Sequence, residues 1–168
     1  QEGKKSILIL GGPLNENLNI SFIDIISENY GENYSLTLKS HPRLDLEKKI
    51  SARYHDKIKI VDESKFNFSD FFSKFNMVFC FPTSLISDIL SEKIPIIIFK
   101  PKIEPYINQN QFFYNLKEVK VYETLRELRS IKSVDRYLKS YYKLPKNKDD
   151  KSIEILKFES NIDKLVLT

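Results

Sequence analysis

Short apolar runs bounded by Gly, Pro, Ser or Asp alternate along this chain with longer amphipathic stretches. That alternation is typical of βα units that build a mainly parallel sheet. The last two runs are almost continuously apolar, as parallel strands are when helices cover both faces of a sheet. We therefore expect an α/β fold with a Rossmann-like parallel sheet covered by helices on both faces. The predicted strands are residues 6–10, 35–39, 58–61, 77–81 and 94–99.

The chain changes character beyond Pro101, where prolines break the pattern and amphipathic stretches follow. Residues 108–117 and 122–142 are predicted to be helices. A length of 168 residues fits one domain and is too short for two nucleotide-binding folds. The predicted organisation is a single domain over residues 1–168, with a core at about 6–101 and peripheral helices at 102–168.

Composition places the chain among soluble globular proteins, with 41% hydrophobic and 30% charged residues. No apolar run approaches the roughly 20 residues that cross a bilayer, and the first residues lack the order of a secretory signal. Cys80 is the only cysteine and lies among apolar residues, so we expect an inert buried thiol in a reducing compartment. These features predict a cytoplasmic protein.

The net charge is +4, and the surplus of basic residues is interspersed along the chain rather than concentrated in one block. Dispersed lysines usually form a solvated surface. Attraction to nucleotide phosphates or to an anionic membrane face is the weaker interpretation. No nucleic-acid partner is predicted. No group of residues has the spacing of metal ligands, so neither a metal nor a cofactor is expected.

His41 follows the second predicted strand directly, in the sequence SHPRL. Pro42 fixes its own backbone and favours an extended conformation for His41. An imidazole can donate a hydrogen bond to a phosphate and can pass a proton to a departing oxygen, because its pKa lies near neutrality. The alternative is a histidine on the surface or at the end of a strand.

Thr83 and Ser84 follow the fourth predicted strand and begin the next predicted helix. Hydroxyl groups and free N–H groups at such a position favour the binding of an anion, which here means a phosphate. The alternative is ordinary capping of the helix, which Thr and Ser provide without any ligand.

Two weaker signals lie at other strand ends. Glu63, in the acidic pair Asp62-Glu63, could accept hydrogen bonds from ribose hydroxyls, or it could lie in a solvated turn or cap a helix. Gly11 and Gly12 follow the first strand and allow close approach of a ligand or of a partner domain, although no dinucleotide-binding or Walker A pattern follows them.

The order of these features resembles the C-terminal, nucleotide-binding half of bacterial sialyltransferases with a GT-B architecture, over residues 6–101. Those families share an HP motif and a Ser/Thr motif. The resemblance implies that His41-Pro42 is the HP pair, that Thr83-Ser84 is the hydroxyl pair and that Glu63 meets the ribose. In those families the histidine stabilises and protonates the departing CMP phosphate, and the hydroxyls bond phosphate oxygens.

The resemblance also implies an inverting transfer of sialic acid from CMP-sialic acid to a surface glycan such as lipooligosaccharide or capsule, without a metal. The general base of those families is an Asp or Glu of an N-terminal half that this chain does not supply. The chain would then be a donor-binding fragment. Its expected partners are the donor, the acceptor glycan and the missing half, and a cytoplasmic position at the inner membrane face is a further expectation.

Two alternative functions fit the same residues. Polymerases that move glycerol or ribitol phosphate from CDP carriers onto wall polymers share similar HP and serine-rich features. Their second motif is usually more acidic and closer to Tyr-Ser-Ser than the FPTSL found here. The other alternative is a regulatory nucleotide-binding α/β domain in which His41 has a structural role.

Overall fold

The computed structural model describes residues 4–44, 46–61, 70–109 and 112–143. These residues form one six-stranded sheet in which every neighbouring pair of strands is parallel. The strands are β1 (Lys5–Leu10), β2 (Tyr34–Lys39), β3 (Ile58–Ile60), β4 (Met77–Cys80), β5 (Ile96–Phe99) and β6 (Val119–Tyr122). The helices are α1 (Glu16–Tyr30), α2 (Glu47–Tyr54), α3 (Ile86–Ser91), α4 (Leu125–Leu128) and α5 (Ile131–Tyr141).

The strand order is β3-β2-β1-β4-β5-β6. The strands β2 and β3 follow β1 on one side of the sheet, and β4, β5 and β6 are then added on the other side of β1. In open α/β sheets of this order, ligands bind outside the carboxyl ends of the strands where the order reverses. That reversal lies here between β1 and β4.

Helices cover both faces of the sheet because side chains alternate along each strand. Ile7 and Ile9 pack on one face, in a buried cluster that includes residues of α1, α2, α4 and α5. Leu8 and Leu10 pack on the other face with α3 and with the short helical turn at Phe72–Lys74. The prediction of a Rossmann-like parallel sheet covered on both faces is confirmed.

The sheet extends beyond residue 101, where the sequence predicted helices alone. The sixth strand, β6, is short and lies at the edge of the sheet, with Val119 and Tyr122 buried and Lys120 exposed. Four residues with one exposed position carry little periodic signal, which explains why the pattern missed this strand. The predicted helix over 108–117 is only a helical turn at Phe112–Asn115 within the described residues.

Cys80 is buried at the end of β4, and burial raises the pKa of its thiol above the ordinary range. An uncharged thiol in this position is unreactive, as predicted. Within the described residues, no helix combines the length and the apolar composition that a membrane crossing requires.

Candidate functional site

Three strand ends meet at one edge of the sheet. Leu10, the last residue of β1, lies beside Lys39 at the end of β2 and beside Cys80 at the end of β4. Neighbouring strands are spaced by about 4.8 Å, so the backbones of β2 and β4 are separated by about 10 Å across β1. The residues that follow these strands therefore lie side by side at the carboxyl edge of the sheet, and the region between them is hereafter called the crevice.

His41 lies in the loop after β2 and begins a turn. The N–H of Leu44 donates to the His41 carbonyl over 2.9 Å, and the N–H of Arg43 donates to Nδ1 of the imidazole over 3.2 Å. A ring nitrogen that accepts a hydrogen bond carries no proton, so the neutral ring has its proton on Nε2. Pro42 occupies the second position of this turn, which proline favours. The backbone therefore holds the imidazole as an N–H donor at Nε2.

Thr83 and Ser84 lie in the loop after β4, and the helix begins later than predicted. The structure places the first residue of α3 at Ile86, and its N-cap, Leu85, makes no side-chain capping hydrogen bond. The Thr83 hydroxyl accepts a hydrogen bond from the Leu85 N–H over 3.3 Å, which turns the chain before the helix starts. The two hydroxyls therefore belong to a loop beside the crevice, and they do not form the first turn of a helix.

Gly11 and Gly12 directly follow β1, between the loops that follow β2 and β4, and are hereafter called the crevice floor. A Cβ atom added to Gly12 would lie 2.7 Å from Cγ of Phe81 and 2.8 Å from the hydroxyl oxygen of Tyr106. A Cβ atom on Gly11 would lie 3.4 Å from the backbone nitrogen of His41. These glycines let the loops after β2, β4 and β5 approach the end of β1, and their role in ligand binding stays a prediction.

Asn19 is a residue that the sequence did not single out. It is fully buried in α1, and its Oδ1 accepts from the Gly12 N–H over 2.8 Å. Its Nδ2 donates to the carbonyls of Leu14 (3.0 Å), Asn15 (3.2 Å) and Gly12 (3.3 Å). The only signal in the sequence is an amide at an inward position of an amphipathic helix. This amide fixes the loop that forms the crevice floor.

Glu63, the predicted ribose ligand, lies outside the described residues, as does Asp62. The structure thus brings together the glycines, His41-Pro42 and Thr83-Ser84 at the carboxyl ends of adjacent strands. Backbone N–H groups, hydroxyls and an imidazole N–H can all donate hydrogen bonds to phosphate oxygens. The chemistry that this set can perform is the binding of a phosphate group and the stabilisation of negative charge on it.

The order and the parallel direction of the strands define a Rossmann-like α/β domain. A model of the family described as CDP-Glycerol:Poly(glycerophosphate) glycerophosphotransferase matches residues 11–155. That span covers most of the chain, and the chain belongs to this family. No curated protein sequence matches it significantly.

Solved structures agree with this fold at low sequence identity. The UDP-GlcNAc 2-epimerase from Neisseria meningitidis is 15% identical, with a TM-score of 0.60 over 97% of this chain and 45% of that one. The wall teichoic acid polymerase TagF is 18% identical, with a TM-score of 0.58 over 93% of this chain and 36% of that one. A glycosyl transferase family 9 protein from Veillonella parvula is 15% identical, with a TM-score of 0.55 over 100% and 48%. This chain thus spans less than half of each of these structures.

The resemblance to sialyltransferases is wrong. The family that matches is one of glycerophosphotransferases, and a teichoic acid polymerase is among the similar structures. The HP and Ser/Thr motifs are each two residues long, which is too short to distinguish between the two kinds of enzyme. CMP-sialic acid is therefore not supported as the donor, and the glycerophosphotransferase alternative is the better supported one.

Proposed function

We propose that this chain is the donor-binding half of a CDP-glycerol glycerophosphotransferase. The observation that carries the proposal is the meeting of three strand-end loops at the β1–β4 reversal, in a chain that matches this family over residues 11–155. The cytidine diphosphate would lie across the crevice, with its phosphates near the Gly11-Gly12 floor. Pro42 would hold the His41 loop in place, Thr83 and Ser84 would bond phosphate oxygens, and Glu63 would meet the ribose.

The proposed reaction moves glycerol phosphate from its CDP carrier to a hydroxyl of an acceptor polymer. The acceptor oxygen attacks the phosphorus that bears glycerol, the bond from that phosphorus to the bridging oxygen breaks, and CMP departs with the electron pair. His41 would donate from Nε2 to an oxygen of the departing CMP phosphate and stabilise its charge. The proton of the acceptor hydroxyl would go to a base outside this chain, on an N-terminal half.

The surface around the crevice fits a partner domain. Leu14 after β1 and Ile103 and Ile107 after β5 are 38%, 39% and 47% exposed, although they are large apolar side chains. Loops after these strands lie at the carboxyl edge, the edge that borders the cleft in a two-domain transferase. We assign this apolar rim to contact with the missing N-terminal half, and we expect the chain alone to bind donor without transferring glycerol phosphate.

Calorimetric titration of the 168-residue chain with CDP-glycerol, CMP, UMP and CMP-sialic acid tests the donor. We expect CDP-glycerol to bind and CMP-sialic acid to bind more weakly. The His41→Ala variant should lose most of the affinity for CDP-glycerol. His55→Ala is the matched control, because His55 lies in the turn before β3, at the amino ends of the strands and away from the crevice. A chain that binds no nucleotide, or that prefers CMP-sialic acid, would contradict the proposal.

We further propose that the protein acts in the cytoplasm at the inner membrane face. The observation that favours this is a set of four exposed side chains on α5 and just after it, Lys132, Arg136, Lys139 and Lys143, hereafter the basic stripe. Their spacing places them on the side of the helix opposite the buried Val134 and Tyr137. A stripe of this kind attracts the anionic headgroups of a bilayer.

A further inference from the structure

Tyr106 carries a buried hydroxyl group that has no hydrogen-bond partner among the residues that the structure describes. Its side chain is only 1% exposed, and its ring packs against Phe81 with centroids 5.9 Å apart. The hydroxyl oxygen is among the buried polar atoms that make no hydrogen bond. It lies against Gly12, since a Cβ atom added to that glycine would be 2.8 Å from it. The phenol is therefore held at the crevice floor with its donor unused.

An unused buried hydroxyl is costly to keep. Burying such a group without a partner destabilises the folded state, and a phenylalanine would fill nearly the same space without that cost. Buried polar groups in folded proteins almost always have partners, so each exception needs a reason. A partner supplied by a ligand is such a reason.

The position of the hydroxyl indicates which ligand it would serve. Gly12 follows β1, Phe81 follows β4 and Tyr106 lies in the loop after β5, so the three residues meet beside the reversal of the sheet order. Tyr106 is the only buried side chain between residues 102 and 109, all of which the structure describes. A loop attached through so few buried side chains can shift enough to open the hydroxyl to a ligand in the crevice.

We propose that the Tyr106 hydroxyl donates a hydrogen bond to a phosphate oxygen of the cytidine nucleotide bound above Gly12. This inference rests on the proposed function and adds a donor-binding residue to it. Burial raises the pKa of Tyr106 to about 12, so the phenol stays protonated and able to donate at neutral pH. Lys100, which directly follows β5, brings a positive charge to the same loop.

The test is calorimetric titration of the 168-residue chain and its Tyr106→Phe variant with CDP-glycerol, CMP and cytidine. We expect the variant to bind CDP-glycerol and CMP about tenfold more weakly or worse, which is the effect of losing one hydrogen bond to a charged group. The melting temperature of the ligand-free variant should equal or exceed that of the wild type. Tyr30→Phe is the matched control, because the Tyr30 hydroxyl is also buried without a partner but lies at the far end of α1.

Four outcomes of these measurements would contradict one or both proposals. Unchanged affinity of Tyr106→Phe for CMP and CDP-glycerol would overturn the inference and leave the proposed function standing. A lower melting temperature without ligand would also overturn it, because the hydroxyl would then have a partner within the protein. Equal weakening for cytidine would overturn the assignment to phosphate. A wild-type chain that binds none of the three compounds would overturn both proposals.

Discussion

Asn19 joins α1 to the loop that leaves β1, and it does so with both ends of one amide. The Oδ1 atom accepts a hydrogen bond from Gly12, while Nδ2 donates to carbonyls of the same loop. An amide side chain can accept a hydrogen bond through its oxygen while it donates through its nitrogen. Because the side chain is fully buried, its removal leaves these backbone groups without their protein partners. Asn19 is thus a positioning residue for the crevice floor.

Replacing Asn19 with alanine should destabilise the protein by about 2–3 kcal/mol, because several buried backbone groups would lose their partners together. Urea unfolding followed by circular dichroism measures this free energy. Asn17→Ala is the matched control, since Asn17 lies on the exposed side of the same helix and should change stability by less than about 0.5 kcal/mol. Equal unfolding midpoints for the two variants would contradict the role assigned to Asn19.

At the scale of elements, α4 begins with a capping box. The Thr124 hydroxyl accepts from the Glu127 N–H over 3.2 Å, and the Glu127 carboxylate accepts from the Thr124 N–H over 3.1 Å. A further hydrogen bond from the Thr124 hydroxyl lowers the pKa of Glu127 below its ordinary value. A carboxylate whose pKa is lower in the folded state contributes stability above its unfolded pKa and loses that contribution as the pH falls through the folded pKa.

Replacing Glu127 with glutamine should therefore cost about 0.5–1 kcal/mol of unfolding free energy at pH 7, because the charge at the helix start is lost. The cost should be smaller at pH 3, because the contribution of the wild-type carboxylate is lost as the pH falls through its folded-state pKa. Chemical denaturation at both pH values measures it. Glu123→Gln is the control, since its exposed ion pair with Lys102 contributes little. A cost that persists unchanged at pH 3 would contradict this account of α4.

The sequence predicted most elements of this fold because long apolar runs leave few alternatives. The five predicted strands correspond to β1–β5, so His41 follows β2 and Thr83-Ser84 follow β4 as predicted, while their role as a binding site stays a prediction. The strand β6 lies at the edge of the sheet, and the start of α3 depends on one hydrogen bond to the Thr83 hydroxyl. The spacing of apolar residues in the sequence indicates neither feature. Asn19 and Tyr106 were missed for a similar reason, since only the folded chain brings them against Gly12. The resemblance to sialyltransferases was wrong because motifs of two residues do not distinguish one family from another.

In the whole molecule, the helix α5 brings basic residues that are interspersed in the sequence onto one face. Residues 124–143 contain six Lys or Arg and two Asp or Glu, a surplus of four that equals the net charge of the entire chain. Four of these six basic residues form the basic stripe. The Tyr137 hydroxyl donates to the Glu118 carbonyl and accepts from the Ile96 N–H over 3.3 Å, which ties α5 to the amino ends of β6 and β5. The stripe therefore runs towards the edge opposite the crevice.

The chain should bind vesicles that contain anionic phospholipid and should not bind vesicles of zwitterionic lipid alone. The double variant Lys132→Glu/Lys139→Glu should bind anionic vesicles more than tenfold more weakly, because each basic residue near the surface contributes about 1 kcal/mol. Co-sedimentation at physiological salt measures this. Lys48→Glu/Lys57→Glu changes the net charge equally at exposed positions away from α5, and it should bind as the wild type does. Equal losses in both variants would indicate that net charge, rather than the stripe, governs binding.

A cytidine diphosphate donor is proposed to bind at the carboxyl edge, between the loops that follow β1, β2 and β4. Residue-resolved NMR of the chain titrated with CDP-glycerol tests this proposal. We predict shifts of the backbone amides of Gly11, Gly12, Arg43 and Leu85. Ser6 and Asn76, which share a hydrogen bond at the amino edge, should not shift. Shifts confined to the amino edge, or none at saturating ligand, would contradict the account.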